Sequence, residues 1–287
     1  MPPSNDSLRL SRRQFAATAA GILGAAVGVD ACVYEPSNIE VTTHEVLVPG
    51  LPRELDGVRI AQISDVHLYQ DRPTGAAAAV ARWVAEARPE IVVLTGDICE
   101  RRSLLPVLTS FARDVRGTAA TLATIGNWER WGDIANAELR RAYDAAGVEF
   151  LFNETATVRI GGATLDVVGL DDPRSGHPDL AAASGRGGSG GVSIWLVHAP
   201  GWVDTVPRGT VPVPAMILAG HTHGGQVRFP GVPPLLLPKM SGRFVEGWYR
   251  DTLAPLYVSR GVGTSVLRAR FNCPPEVPVF TMRSAAA

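Results

Sequence analysis

The feature that most constrains this chain is a series of short apolar runs, each of which stops on an aspartate, an asparagine or a histidine. Asp65-x-His67 follows VRIAQIS, Gly96-Asp97 follows IVVLT, and Gly126-Asn127 follows ATLATI; His198 follows SIWLV, and Gly220-His221-Thr222-His223 follows AMILA. Apolar runs of this length, nearly uninterrupted, suit strands buried on both faces. In α/β sheets the carboxyl ends of the strands open onto the ligand crevice, so polar side chains leaving those ends can converge although they are far apart in sequence.

The intervening sequence supports that architecture. Strands are expected over 41–48, 58–64, 91–95 and 119–125, with helices over 76–87, 104–113 and 134–146, the last closed by Gly147. The alternation predicts βαβ units and a largely parallel sheet. From residue 158 onward short strands follow one another with few helices, over 158–160, 164–169, 193–197, 216–220, 256–259 and 277–282. GRGGSGG (185–191) reads as a flexible loop inside the α/β unit.

The converging side chains define a chemistry. Histidines on three separate strand ends, two aspartates and one asparagine offer nitrogen and oxygen donors without sulfur; that mixture suits zinc, manganese or iron better than calcium or magnesium. More donors than one tetrahedral site needs point to two ions. The three cysteines, Cys32, Cys99 and Cys273, are widely spaced with no CxxC pair, so neither a disulfide framework nor a cysteine zinc site is expected. A net charge of -1 gives no bulk-charge case for nucleic acid or for an anionic membrane.

The motif series, in this order and at these spacings, resembles the calcineurin-like metallophosphoesterases from about Val58 to the end of the chain. Gly220-His-Thr-His-Gly-Gly-Gln226, Ser259-Arg-Gly-Val-Gly263 and Pro275-Glu276-Val277 resemble one bacterial subgroup of exported or membrane-associated phosphodiesterases, some of which hydrolyse UDP-diacylglucosamine. The resemblance implies a four-layer sandwich of two mixed β-sheets flanked by helices. It implies that Asp65, His67 and His223 hold one divalent metal ion and Asn127, His198 and His221 a second, with Asp97 bridging. The reaction it implies is phosphoester hydrolysis by a hydroxide shared between the two ions (Mn, Fe or Zn), with Asp97, Asn127 and His198 as catalytic residues.

One residue departs from the family. Gly-Asn-His-Asp/Glu is usual, and here Trp128 stands third, in Gly126-Asn-Trp-Glu129. An indole donates one weak N–H and cannot release a proton near neutral pH. Because general acid catalysis is typically worth about 10²–10⁴-fold, Trp128 favours pyrophosphate-type or activated diester substrates, or else a weakened family member that binds metal and phosphoryl groups. Trp128 packing on Trp131 and Trp128 touching substrate are equally open readings. Asp171-Asp172, His177, His44 and Cys99 receive no role; a small buried thiol suits Cys99 best.

Two segments bear on location. Ser11-Arg12-Arg13-Gln14-Phe15 precedes an uncharged Ala/Gly-rich run to Val29, a pattern like a twin-arginine export signal. Residues 1–36 are therefore expected to engage the twin-arginine export machinery and 37–287 to form the phosphoesterase domain, at the periplasm or the outer face of the cytoplasmic membrane. Cleavage after Ala31, a retained anchor, and lipidation at Cys32 stay open. FPGVPPLLLP (229–238), just past His223, reads as a stiff loop. Burial of Leu235, Leu236 and Leu237 under that loop is the favoured expectation, and presentation to a lipid-like ligand or a membrane surface the alternative.

Overall fold

The computed structural model describes residues 12–184, 188–209 and 212–285. The start of the export-like segment (1–11) and part of the glycine-rich loop (185–187) lie outside the described residues.

Helix α1 (Arg12–Val29) comes first. β1 (Glu40–Val48) and β2 (Arg59–Ile63) follow, then α2 (Gly75–Ala87), β3 (Ile91–Thr95), α3 (Leu105–Asp114) and β4 (Ala120–Thr124). Next are α4 (Asn127–Trp131), α5 (Asn136–Asp144), β5 (Glu149–Phe150), β6 (Glu154–Ile160), β7 (Ala163–Gly169) and α6 (Leu180–Ser184). The chain closes with β8 (Val192–Leu196), β9 (Met216–Ala219), β10 (Gly247–Tyr249), β11 (Leu256–Val258) and β12 (Glu276–Ser284).

These strands form two six-stranded mixed sheets, ordered β1-β12-β2-β3-β4-β5 and β10-β11-β9-β8-β7-β6. The centres are parallel, as the apolar runs predict, but β12/β2, β6/β7 and β10/β11 pair antiparallel. The largely parallel arrangement expected from the alternation holds, with these pairings as its antiparallel exceptions. β6 and β7 are joined by Gly161-Gly162, at φ 56° and 96°, and so short a link can only reverse the chain. β12 arrives from the far end of the sequence and slots between β1 and β2.

One core fills the space between the sheets, with Ile60, Val93, Leu122, Val167, Ile194 and Leu218 among its fully buried members. A second lies between the first sheet and α2, α3 and α5, where Val80, Leu108 and Leu139 meet Val92 and Leu94. The outer face of the second sheet is covered by α6, a 3-10 turn (Pro200–Thr205) and Phe244. Burial between layers holds the sheets face to face, with the carboxyl ends of β2, β3, β4, β8 and β9 at a common edge.

Candidate metal centre

Each chemistry-bearing side chain sits just past one of those strand ends. The donor atoms of Asp65, His67 and His223 lie within 4.8 Å of one another, as do those of Asp97, His198 and His221, and all six residues are buried. Asp97 stands between the groups, its Oδ2 3.1 Å from His198 Nε2 and 3.8 Å from His67 Nε2. Asn127, also buried, begins α4 directly beside this carboxylate.

The backbone accepts strain to achieve this convergence. Asp65, His67, Asp97, His221 and His223 all adopt left-handed conformations, with φ from 51° to 72°. Such conformations cost non-glycine residues on the order of 1–3 kcal/mol each and persist where the surroundings impose them. The glycines before the ligands meet a different demand, close approach. A Cβ on Gly126 would fall 2.2 Å from Asp97 Oδ1, and one on Gly220 2.2 Å from Asp65 Oδ2.

Hydrogen bonds fix how the donors face. His198 Nδ1 donates to the Thr95 carbonyl at 2.8 Å, and His221 Nε2 to the Lys239 carbonyl at 2.8 Å. Each ring thereby turns its other nitrogen inward, and those two nitrogens are 3.3 Å apart. His67 Nε2 and His223 Nε2 face each other at 3.0 Å, with Asp65 Oδ1 3.4 Å from the latter. His67 Nδ1 lies 3.3 Å from Glu100. Burial, then the neighbouring imidazoles, holds His221 and His223 below the usual histidine pKa, which keeps them neutral and able to donate. Burial also opposes the charged form of His198, but the adjacent Asp97 carboxylate outweighs it and raises His198.

The arrangement suits a pair of cations. Asn127 Oδ1 is buried with no hydrogen-bond partner, a cost that a coordinated ion would remove. Imidazole lone pairs pointing at one another likewise need a cation or proton between them. The donor set, nitrogen and oxygen without thiolate, fits Zn, Mn or Fe. Cys99 is buried nearby but belongs to neither donor group, and burial pushes its thiol up to about 12.

Sequence reasoning gave no role to Glu129, the fourth residue of Gly126-Asn-Trp-Glu129. Its buried carboxylate accepts from the backbone N–H groups of Asp97 (3.1 Å), Ile98 (2.6 Å), Cys99 (3.1 Å) and Gly126 (2.9 Å). It thus ties the Asp97 loop to the start of α4. Burial, reinforced by the Asp97 charge, raises its pKa above the usual carboxylate range. The motif pointed at this residue, but Asp97, Ile98 and Cys99 lie about thirty positions earlier and only the fold brings them in. Asp171 accepts from Arg130 at 2.6 Å, Asp172 binds Ser175, and His177 is exposed. His44 packs among Tyr257, Trp248 and Phe280 on the first sheet.

Above the two groups opens a cleft of about 570 Å³, whose wall includes Asp97, Asn127, Trp128, Trp131, His221 and His223. Trp128 stands edge-on to His67, ring centroids 5.4 Å apart, and to Trp131, 5.6 Å apart. It therefore packs as a neighbour of Trp131 and faces the cleft at once. Its N–H of the backbone donates to Asp97 Oδ1 at 2.8 Å. The favoured expectation for the leucine run is overturned: Leu235 and Leu236 are exposed and, with half-buried Leu237, line this cleft. Prolines 230, 233, 234 and 238 keep the segment out of both sheets.

Two sheets whose strand ends gather paired Asp/His groups under an open cleft define a metal-dependent hydrolase centre. The family model described as calcineurin-like phosphoesterase matches residues 58–225, and the chain belongs to that family. It is 32% identical to "Uncharacterized metallophosphoesterase YkuE" of Bacillus subtilis, over 96% of this chain and 99% of that one. It is 25% identical to "Phosphodiesterase YaeI" of Escherichia coli, over 95% and 99%. It is also 25% identical to "UDP-2,3-diacylglucosamine pyrophosphatase LpxG" of Chlamydia trachomatis, over 85% and 89%. The chain is a hydrolase of the metallophosphoesterase type, and the two Asp/His groups are its candidate metal sites.

Proposed function

We propose that this protein hydrolyses a phosphodiester or pyrophosphate bond at the cell envelope, with a lipid-linked or nucleotide-sugar substrate. The observation that carries the reading is Asp97 between two buried donor groups, beside the unpartnered Asn127 amide oxygen. In this reading Asp65, His67 and His223 hold one divalent ion, Asn127, His198 and His221 the other, and Asp97 joins them. When bound, the ions supply a nucleophile at neutral pH and neutralise charge on the phosphoryl oxygens.

The chain's own residues do the rest. Thr95 and Lys239 carbonyls orient His198 and His221, and Glu129 holds the Asp97 loop against α4. Trp128 offers no proton to a leaving group, so the preferred leaving group is one that departs unaided, such as a phosphate monoester. The names of YaeI and LpxG support phosphodiester and pyrophosphate chemistry, and that of LpxG an acylated substrate. Residues 1–36 are read as the twin-arginine export segment and 37–287 as the catalytic domain. Among the described residues no helix is long and apolar enough to cross a membrane.

The competing reading is a weakened member that binds metal and phosphoryl groups without useful turnover, and Trp128 is what favours it. Hydrolysis of bis-p-nitrophenyl phosphate with Mn²⁺ separates the two. Turnover that disappears in Asp97→Asn supports the enzyme; a metal-loaded protein that is inert with every divalent ion supports binding. A screen of nucleotide diphosphate sugars against lipid phosphodiesters then narrows the substrate.

A further inference from the structure

We propose that two apolar loops at the mouth of the cleft, residues 229–238 and 264–269, form a docking surface for a lipid bilayer. The proposal deepens the envelope reading above and rests on it.

The apolar side chains of these loops point outward. Leu235 is 66% exposed, Leu236 84%, Val266 88% and Leu267 57%, and all four line the same cleft as the metal-centre residues. Side chains of this kind normally lie inside, and several together mark a surface that meets something apolar.

The exposure is built into the fold. The Gln226 side chain, three residues past His223, donates to the carbonyls of Ser265 (3.2 Å) and Leu267 (2.6 Å) and accepts from the Ser265 N–H (2.9 Å). It clamps the 264–269 turn to the metal-centre loop. At the tip Val266 is held at φ 58°, a conformation that a β-branched residue takes only under constraint. Arg228 N–H donates to the Phe271 carbonyl at 2.8 Å, and the Phe229 and Phe271 rings lie 5.8 Å apart, so the two loops form one unit.

Charge and chain path point to a bilayer as the occupant. Among the described residues Asp97, at the metal centre, is the sole acid in the cleft wall, whereas Lys239 and Arg174 both stand there. Among the described residues neither has a carboxylate partner, while Arg228 pairs with Glu246 and Arg268 with Glu100. Two cations beside apolar tips complement anionic headgroups over acyl chains. The apolar N-terminal segment also emerges next to these loops. The Ala31 carbonyl accepts from Arg270 N–H at 2.8 Å, and Glu35 accepts from the N–H groups of Asn272 and Cys273. The described side chains of α1 are exposed, as are Val33 and Tyr34 after it. A membrane surface that takes up this helix would lie beside the cleft mouth.

The test uses the full chain carrying Cys32→Ser, since the other two cysteines are buried. Leu236→Cys in that background is labelled with an environment-sensitive nitrobenzoxadiazole dye, and Asp144→Cys, at an exposed position of α5, serves as the control. With phosphatidylcholine vesicles containing phosphatidylglycerol, the dye at 236 should brighten several-fold and shift to the blue, and the dye at 144 should not change. In unlabelled protein, Leu235→Ser with Leu236→Ser should lower vesicle partitioning by about tenfold per leucine, with an unchanged thermal midpoint showing an intact fold. A dye at 236 that stays dim while the chain binds vesicles through its N-terminal helix would overturn the proposal. So would a shift without vesicles that grows with protein concentration, because a second copy would then be covering the loops. The readout does not depend on turnover: a failed hydrolysis assay counts against the activity, while the dye still decides the docking.

Discussion

The floor and the mouth of the cleft are built by opposite rules. On the floor every candidate ligand is buried, several are strained, and the outward atoms of His198, His221 and Asp97 are held by backbone groups. At the mouth, two proline- or turn-rich loops carry large apolar side chains into solvent, tied down at their bases. Function on the floor needs atoms fixed to within tenths of an ångström, and backbone partners fix several of the polar groups there. The mouth needs only shape and polarity, which loops can supply. Substitutions should therefore act very differently in the two places.

Asp97→Asn should produce the largest effect. Loss of one charge between the donor groups should cut phosphoester turnover by about 10³-fold or more, roughly 4 kcal/mol of transition-state stabilisation, and lower metal content in parallel. A variant that keeps about two metals per chain and full activity would remove Asp97 from the centre of the comparison.

Next comes Glu129→Ala, which strips four backbone N–H groups of their acceptor without touching a donor atom. A stability loss of about 3 kcal/mol in denaturant melts is expected, with partial recovery in Glu129→Asp. If the floor tolerates this change as a surface site would, its rigidity comes from elsewhere. Chelation should follow closely. An ion present at a hundredfold excess over its Kd stabilises by about 2.7 kcal/mol, so metal removal should lower the thermal midpoint by several degrees.

Trp128→His lies between the two regions and should act modestly and selectively. Alkyl phosphodiesters should gain about tenfold, roughly 1.4 kcal/mol, and p-nitrophenyl esters little, because only the poor leaving group needs a proton. Equal gains on both would mean that position 128 does not act on the leaving group. The smallest effect is expected at the mouth, where Leu236→Ser should change stability by no more than about 0.5 kcal/mol in the same melts. A loss of 2 kcal/mol would mean that the leucine is packed, not presented.

Several parts of this molecule were legible in its sequence, for a local reason. Apolar runs such as IVVLT read as buried strands because the burial period is written in adjacent residues, and β3 spans those residues (Ile91–Thr95). The polar residues after each run were legible as one site because strand ends in an α/β sheet open onto a shared crevice. Asp65, His67, Asp97, His198, His221 and His223 were named from the sequence, and the fold brings their donor atoms together in two groups. Tertiary structure alone decided the rest, because it depends on contacts between distant residues. The place of β12 between β1 and β2 follows from pairing across most of the chain. The work of Glu129 depends on N–H groups that reach it only when β3 and β4 lie side by side. Whether three consecutive leucines were buried or displayed could not be read from their hydrophobicity, which is the same in both cases. It was settled by where the fold places the segment, at the open cleft, a property of the packed molecule and not of the segment.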